Sequence, residues 1–187
     1  MLNTKLISKI FGSLLLIEAL LMSCSLGVAL YYGGSDIMPI TWSVVVLIAA
    51  GVAFRLLGLK ASNALSRRDA YFVVTTVWVL FTIFGMMPFL IGGYLHSVTD
   101  AFFETISGFT TTGATIIDYP ERLPRGLLFW RSITQWIGGL GIVFFTIAIL
   151  PSFVGGSTRV FAAEATGPIV TKLHPKLSTG AKWIWAV

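Results

Sequence analysis

Charge is what this chain has least of. Only 11% of its 187 residues are Asp, Glu, Lys or Arg, while 56% are hydrophobic; a soluble domain carries about 25% charged residues. That balance excludes a soluble globular domain and points to an integral membrane protein. Cysteine is nearly absent too. Cys24 stands alone inside an apolar run, which excludes an internal disulfide and reads as a small buried apolar side chain. His96 and His174 are isolated, each reading as a surface or interfacial residue, and no His, Cys and carboxylate cluster has metal-ligand spacing, which speaks against a transition-metal site. No nucleophile has a base beside it, which speaks against an enzyme. A cleavable signal peptide is missing as well, because the first apolar run outlasts an h-region of about 7–15 residues and no small-residue cleavage site follows.

Long apolar runs are what the chain has in abundance. They extend from about Ile10 to Tyr32, Ile40 to Leu59, Ala70 to Leu95 and Gly126 to Leu150. Each can cross a hydrocarbon core of about 30 Å, which takes about 20 helical residues. Pro88 lies late in the third run, where it introduces a kink, and Gly92-Gly93 closes that run. Pro151 and Gly155-Gly156 end the fourth. An amphipathic, basic stretch follows from Ser157 to Lys182, and a fifth apolar run opens at Trp183-Ile-Trp-Ala-Val187. Glu18 is the single charge of the first run. A carboxylate left in lipid there costs about 2.5–3.5 kcal/mol, so it faces protein, carries a proton or pairs. A helix–helix hydrogen bond or an interfacial position is favoured over a cation-attracting or proton-relay group.

The basic residues sit between the apolar runs. Lys5 and Lys9 precede the first; Lys60, Arg67 and Arg68 lie between the second and third; Arg159, Lys172, Lys176 and Lys182 follow the fourth. The turn from Tyr31 to Pro39 has no Lys or Arg. Arg122 and Arg125 are offset by Asp100, Glu104, Asp118 and Glu121. Lys and Arg favour the cytoplasmic side. The net charge of +5 therefore reports membrane orientation and implies no nucleic acid. The N-terminus, the second loop and the tail are expected inside, and the segment between runs three and four is expected to enter from outside.

That segment contains Asp100-Ala-Phe-Phe-Glu-Thr-Ile-Ser-Gly-Phe-Thr-Thr-Thr-Gly-Ala-Thr115, too short and too polar to span a bilayer. Ser97-Val-Thr-Asp100 has the spacing of a capping box, with Thr99 as the alternative cap. Ala101, Phe102, Phe103, Ile106 and Phe109 recur at helix-compatible spacing. A helix from about Val98 to Gly108 measures about 16 Å, half a membrane. Gly108 is a natural stop. The carbonyl end of such a half-helix, the negative pole of its dipole, favours a cation near the midplane. Thr110-Thr-Thr-Gly113 then presents consecutive backbone carbonyls. The β-branched threonines favour extended backbone, and Gly113 permits a geometry other residues resist. A line of carbonyls can replace the hydration shell of a monovalent cation. The competing reading is a polar re-entrant turn that only packs between helices. The flanking order of helix, half-helix, turn and helix favours the filter, because non-helical backbone at membrane depth normally lines a cavity.

The same stretch, followed by Phe129-Trp-Arg-Ser-Ile-Thr-Gln-Trp-Ile-Gly-Gly-Leu-Gly-Ile-Val143, closely resembles the membrane subunit of the Trk/Ktr potassium-uptake family, TrkH type. The resemblance covers the whole chain. It implies an all-α integral membrane fold: an N-terminal helix pair, then one helix–pore helix–filter–helix repeat of a potassium-channel-like pore. Residues 1–69 correspond to the helix pair, 70–151 to the first repeat, and 152–187 to a cytoplasmic basic linker with the start of a further transmembrane helix. In the family four repeats surround one pore, and potassium is held by filter carbonyls. On this chain those are Thr110, Thr111, Thr112 and Gly113, with K+ at Thr111, Thr112 and Gly113 and Ala114 as filter support. Glycine at the Gly113 position goes with potassium, serine with sodium. The resemblance further implies potassium uptake across the bacterial cytoplasmic membrane, a homodimer, and a cytoplasmic nucleotide-binding regulatory subunit of the TrkA kind. K+ is cargo, and no covalent cofactor is implied. One repeat supplies one quarter of a filter; either the chain is the N-terminal part of a longer polypeptide or four copies assemble, and the helix pair and begun fifth run favour the former.

Arg131 and Gln135 lie one turn apart on one face of the fourth run. They are read as bracing the filter by bonds to Glu104 or to loop carbonyls, slightly ahead of ordinary interfacial anchoring. Gly138-Gly-Leu-Gly141 is no dinucleotide fingerprint, since no strand precedes it; small residues allowing close helix contact explain it better. The basic tail is expected to meet membrane lipid. Two other functions stay open at this level: a secondary transporter with a broken-helix midplane site, and a non-conducting membrane scaffold.

Overall fold

The computed structural model describes residues 3–59 and 67–141. The chain divides into two compact units, Met1–Gly138 and Gly139–Val187, and nearly all described residues belong to the first. Regular structure among them is helical: α1 (Thr4–Tyr32), α2 (Ile37–Leu57), α3 (Arg67–Gly85), α4 (Met87–Ile91), α5 (Val98–Phe109) and α6 (125–141), with a 3₁₀ turn at Pro120–Arg122 before α6. Among the described residues three stretches are long and apolar enough to cross a bilayer, Thr4–Tyr32, Ile37–Leu57 and Tyr71–Ile91. The rest of the fourth run, the basic tail and the opening of the fifth lie outside the described residues.

α1 begins well before the apolar run, because its N-terminal N–H groups have partners. The Asn3 side chain accepts from Leu6 N at 3.3 Å, and Asn3 N donates to Asp69 Oδ1 at the start of α3 at 3.1 Å. Gly33 ends the helix at φ 63°, the left-handed cap that costs glycine least. α1 packs along α2 through Leu15, Ala19, Met22 and Ala29 against Ile40, Val44 and Leu47, spacings of three, four and seven residues that keep each set on one helix face. Gly12 lets the two backbones touch: a Cβ there would stand 2.6 Å from Gly51 O and 2.5 Å from Arg55 N. The reverse faces carry Ile17, Leu20, Val45 and Ile48 exposed, which suits lipid rather than water. Cys24 belongs to that outer surface. It is exposed, not buried as its apolar neighbours suggest, because an apolar run in a membrane has two apolar surroundings to choose from.

The third run is not one kinked helix. α3 stops at Gly85, Met86 forms a turn, and α4 restarts at Met87 with Pro88 in its first turn. Pro88 has no N–H for the Phe84 carbonyl four residues back, and a new N-terminus is where that loss is harmless. Phe89 N turns to Met86 O at 3.1 Å. The Gly85 carbonyl, freed by the break, accepts instead from Trp130 Nε1 of α6 at 2.8 Å.

Asp36, in the turn before α2, is fully buried and caps a different helix: its Oδ2 accepts from Leu127 N, in the first turn of α6, at 2.9 Å. A Cβ on Gly34 or Gly126 would collide with this carboxylate, so the two glycines clear its seat. Replacing Asp36 by alanine should cost about 1–2 kcal/mol, the range for a lost N-terminal cap, while Asn, which keeps the acceptor, should retain most of it. Unfolding midpoints in mixed micelles measure the difference.

Candidate functional site

α5 is positioned by its buried face. Ala101, Thr105 and Phe109 are buried at successive turns. The Phe109 ring is fully enclosed, with centroids 5.5 Å from Phe81, 6.4 Å from Trp130 and 6.5 Å from Trp78. The Trp78 and Trp130 contacts are edge-on and the Phe81 contact tilted; aromatic pairs at these separations contribute beyond area burial, so the C-terminal end of α5 is clamped from both α3 and α6. Two local expectations change. Ser97 is the N-cap residue but makes no side-chain cap bond; Asp100 in the first turn supports that end through the helix dipole. Gly108 does not stop the helix, which runs on to Phe109. It serves contact instead, since a Cβ there would lie 2.5 Å from Thr134 Oγ1 of α6.

Beyond α5 the chain is not an extended strand. Thr110 sits at φ −85° and ψ 2°, Thr111 at φ 56° and Gly113 at φ 73°; Thr112 is not among the positive-φ residues. The sign of φ thus alternates along Thr110–Gly113. A left-handed β-branched residue costs about 1–3 kcal/mol and persists where its surroundings enforce it. The enforcing groups are the carbonyls at the end of α5. Thr111 N donates to Gly108 O at 3.0 Å, and Thr112 N and Gly113 N donate to Ser107 O at 3.0 and 3.5 Å. In a trans peptide each carbonyl points opposite to the following N–H. The carbonyls of Thr110, Thr111 and Thr112 therefore all turn away from α5, on one side. Ala114 does the reverse: its carbonyl accepts from Ser107 Oγ at 2.6 Å and so turns back toward α5.

The segment after this ribbon is held by Glu104. Its carboxylate accepts from Thr115 Oγ1 at 3.0 Å and Ile116 N at 3.0 Å, and from Arg131 Nε at 2.8 Å. Arg131 Nη2 completes an ion pair at 2.5 Å; the Glu104 side chain is 2% exposed and that of Arg131 26%. Thr115 Oγ1 in turn accepts from Ile117 N at 3.1 Å. Charge-assisted bonds of this kind are the short, strong ones.

Among the residues singled out from sequence, the structure joins Glu104 and Arg131 directly. It leaves Thr110, Thr112 and Gly113 exposed. Gln135 also lies exposed one turn beyond Arg131, with Nε2 3.8 Å from where a Cβ on Gly113 would stand. A cavity of about 190 Å³ between α5, α6 and the ribbon is lined by Glu104, Ser107, Gly113, Arg131, Thr134 and Gln135 among others. Ser107 went unremarked in the sequence, although it shares a helix face with Glu104 three residues away. Trp130 and Thr115 had no readable signal, because their partners are set by tertiary contact. No group of His, Cys and carboxylates able to hold a metal ion occurs among the described residues.

Residues 36–187 match the sequence model of the TrkH family, described as cation transport protein. The Trk system potassium uptake protein TrkH of Vibrio parahaemolyticus is 36% identical over 183 residues, 97% of this chain and 38% of that protein. TrkH of Escherichia coli K12 is 33% identical over 183 residues, again 97% and 38%. The crystal structure of the potassium transporter TrkH from Vibrio parahaemolyticus superposes with a TM-score of 0.78 at 33% identity, covering 97% of this chain and 36% of that one. The chain thus spans well under half the length of the relatives it matches.

Proposed function

The chain belongs to the TrkH family of cation transport proteins, an integral membrane, all-helical family of transporters rather than enzymes, and on that footing we propose that it supplies the first quarter of a potassium-uptake pore. Thr110, Thr111, Thr112 and Gly113 present the ion-facing carbonyls, with K+ held at Thr111, Thr112 and Gly113. The relatives are named potassium uptake proteins, which favours K+ as cargo. One observation carries the reading: the Thr110–Thr112 carbonyls turn to one side while the following N–H groups are taken by Ser107 and Gly108. Carbonyls free of protein donors are what a dehydrated monovalent cation needs. Ala114, whose carbonyl is engaged by Ser107, supports the filter from behind, as do Glu104 and Arg131. Gln135 lies within reach of Gly113.

In the intact polypeptide, residues 1–69 form the N-terminal helix pair, 70–151 the first pore repeat and 152–187 the linker toward the next. The N-terminus lies in the cytoplasm of a bacterial cell and the filter opens outward, as the Lys and Arg distribution favours. The TrkH-type resemblance extends the proposal to a homodimer of intact chains, governed by a cytoplasmic nucleotide-binding subunit of the TrkA kind.

Gly113→Ser in the intact polypeptide tests the site. At φ 73° a residue with a Cβ is disfavoured by about 1–2 kcal/mol, so the ribbon relaxes and its selective geometry is depopulated roughly tenfold. The expected result is a loss of about that factor in K+ over Na+ discrimination in reconstituted vesicles, with protein yield unchanged. Unaltered discrimination would remove Gly113 from the ion path. Strict dependence of flux on an organic substrate would favour a midplane transporter site instead.

A further inference from the structure

Glu18 stands fourteen residues from either end of α1, about 21 Å along the helix from each. That is the middle of a span, not an interface. Its side chain is 1% exposed, and neither carboxylate oxygen has a hydrogen-bond partner among the described residues. The helix–helix hydrogen bond and the interfacial position favoured from sequence are both missing. Oε1 is aimed at the α3–α4 break: it lies 3.2 Å from where a Cβ on Gly85 would stand, a point also 3.0 Å from the Phe109 ring and 3.1 Å from the Thr105 methyl. Polar groups around that point are committed elsewhere. Thr105 Oγ1 donates to Ala101 O, Thr82 Oγ1 to Trp78 O and Trp130 Nε1 to Gly85 O.

Nor does any charged side chain among the described residues reach it. On α2 and its turn, Arg55 is exposed at the level of Gly12, and Asp36 is engaged by Leu127 N. Arg68 and Asp69 lie at the far end of α3, where Asp69 bonds Asn3. On α5 and α6, Glu104 and Arg131 pair with each other, Asp100 sits in the first turn of α5, and Arg125 is exposed. On α1 itself, Lys5 and Lys9 are more than two turns away. An ionised carboxylate with neither donor nor cation is not sustainable in such a place.

We propose that Glu18 is a proton-binding site: the folded protein holds its carboxyl as the neutral acid, and losing that proton drives α1 from the Gly85 break and the Phe109 end of α5. The ligand is a proton, and the site lies outside the residues assigned to the ion path. It ties the N-terminal helix pair to the element that carries the ribbon. Without the proton the site would hold an unpaired charge among buried apolar side chains, and separating α1 from the break is what relieves it.

The test uses the intact polypeptide in lipid. Infrared difference spectra at neutral pH should contain a carboxylic-acid carbonyl stretch, shifted by deuterium exchange, that is missing from Glu18→Gln. Spectra identical in wild type and variant overturn the proposal. In mixed micelles the stability of wild type and of Glu18→Gln should depend differently on pH; equal pH dependence overturns the proposal. Glu18→Leu provides a second uncharged replacement of similar volume. Failure of both variants to fold would show that the charge itself is required and would also overturn the proposal. The effect on uptake, a decline at alkaline pH that Glu18→Gln lacks, rests on the potassium-pore reading; the spectra and the unfolding data do not, so the two can fail separately.

Discussion

Replacing Glu104 by alanine is expected to destabilise the protein by about 3–5 kcal/mol, the range for removing one partner of a buried ion pair, and, on the proposed pore reading, to erode ion discrimination by the intact polypeptide. The side chain is 2% exposed and holds four groups at once: Arg131 through two nitrogens, Thr115 Oγ1 and Ile116 N. Alanine leaves a guanidinium three-quarters buried and a backbone N–H unpaired. Gln at position 104 keeps the shape and one acceptor but loses the charge, so a charge-assisted contribution of about 1.5–3 kcal/mol goes. Cutting the pair from the other side, Arg131→Gln should cost a similar amount. The double variant should then show a coupling of about 0.5–3 kcal/mol in a mutant cycle. Bracing differs from plain stabilisation in a second readout, because Ile116 and Thr115 follow the ribbon directly. The K+ to Na+ ratio of reconstituted Glu104→Gln should fall in micelle-stable protein. If Arg131→Gln altered neither stability nor that ratio, the pair would have no bracing role.

The sequence favours an Arg131 contact with Glu104 or with loop carbonyls only slightly over interfacial anchoring, and the structure forms the Glu104 ion pair. Arg131 and Glu104 carry unlike charges and are expected at similar depth, which is what points to the pair. The spans α1 and α2 were legible for a similar reason, since an apolar run long enough for a bilayer has few alternatives. The break in the third run was legible only as a kink. Pro88 marks it, but the chain breaks at Met86 because a proline is best placed inside the first turn of a new helix. The Thr110–Gly113 conformation was misread outright. β-Branched residues favour extended backbone when nothing opposes them, whereas here Ser107 and Gly108 carbonyls capture three successive N–H groups and force Thr111 to φ 56°. The partner of Asp36 and the lack of one at Glu18 were illegible for a deeper reason, although the sequence already leads Glu18 to be expected to face protein, carry a proton or pair. Whether a carboxyl caps another helix or meets no partner at all depends on which elements arrive beside it, and neither residue carries a local pattern that says so.

Gly138 completes the clamp on the end of α5, and its replacement should have the second large effect. A Cβ at this position would overlap the Phe109 carbonyl oxygen and stand 2.8 Å from its carbonyl carbon and 3.1 Å from Gly108 O. These are backbone atoms and cannot rotate aside. Nor can Phe109 retreat, because its ring is fixed between Trp78, Phe81 and Trp130. Relief must come from moving α6 off α5, and with it Thr134, which touches Gly108, and Arg131, which holds Glu104. Overpacking costs about 1–3 kcal/mol where the neighbours give way, so Gly138→Ala should lose at least that despite the better helix propensity of alanine, worth about 1 kcal/mol. Gly138→Val should be worse. On the proposed pore reading, uptake by the intact polypeptide should fall more steeply than stability, since the displaced carbonyls are those that start the Thr110 ribbon. Gly27→Ala is the matched control. It lies on α1 with nothing within 4 Å of its would-be Cβ, so the propensity gain appears there unopposed. A Gly138→Ala protein as stable as Gly27→Ala, and as active, would mean that α6 does not press on the end of α5 at all.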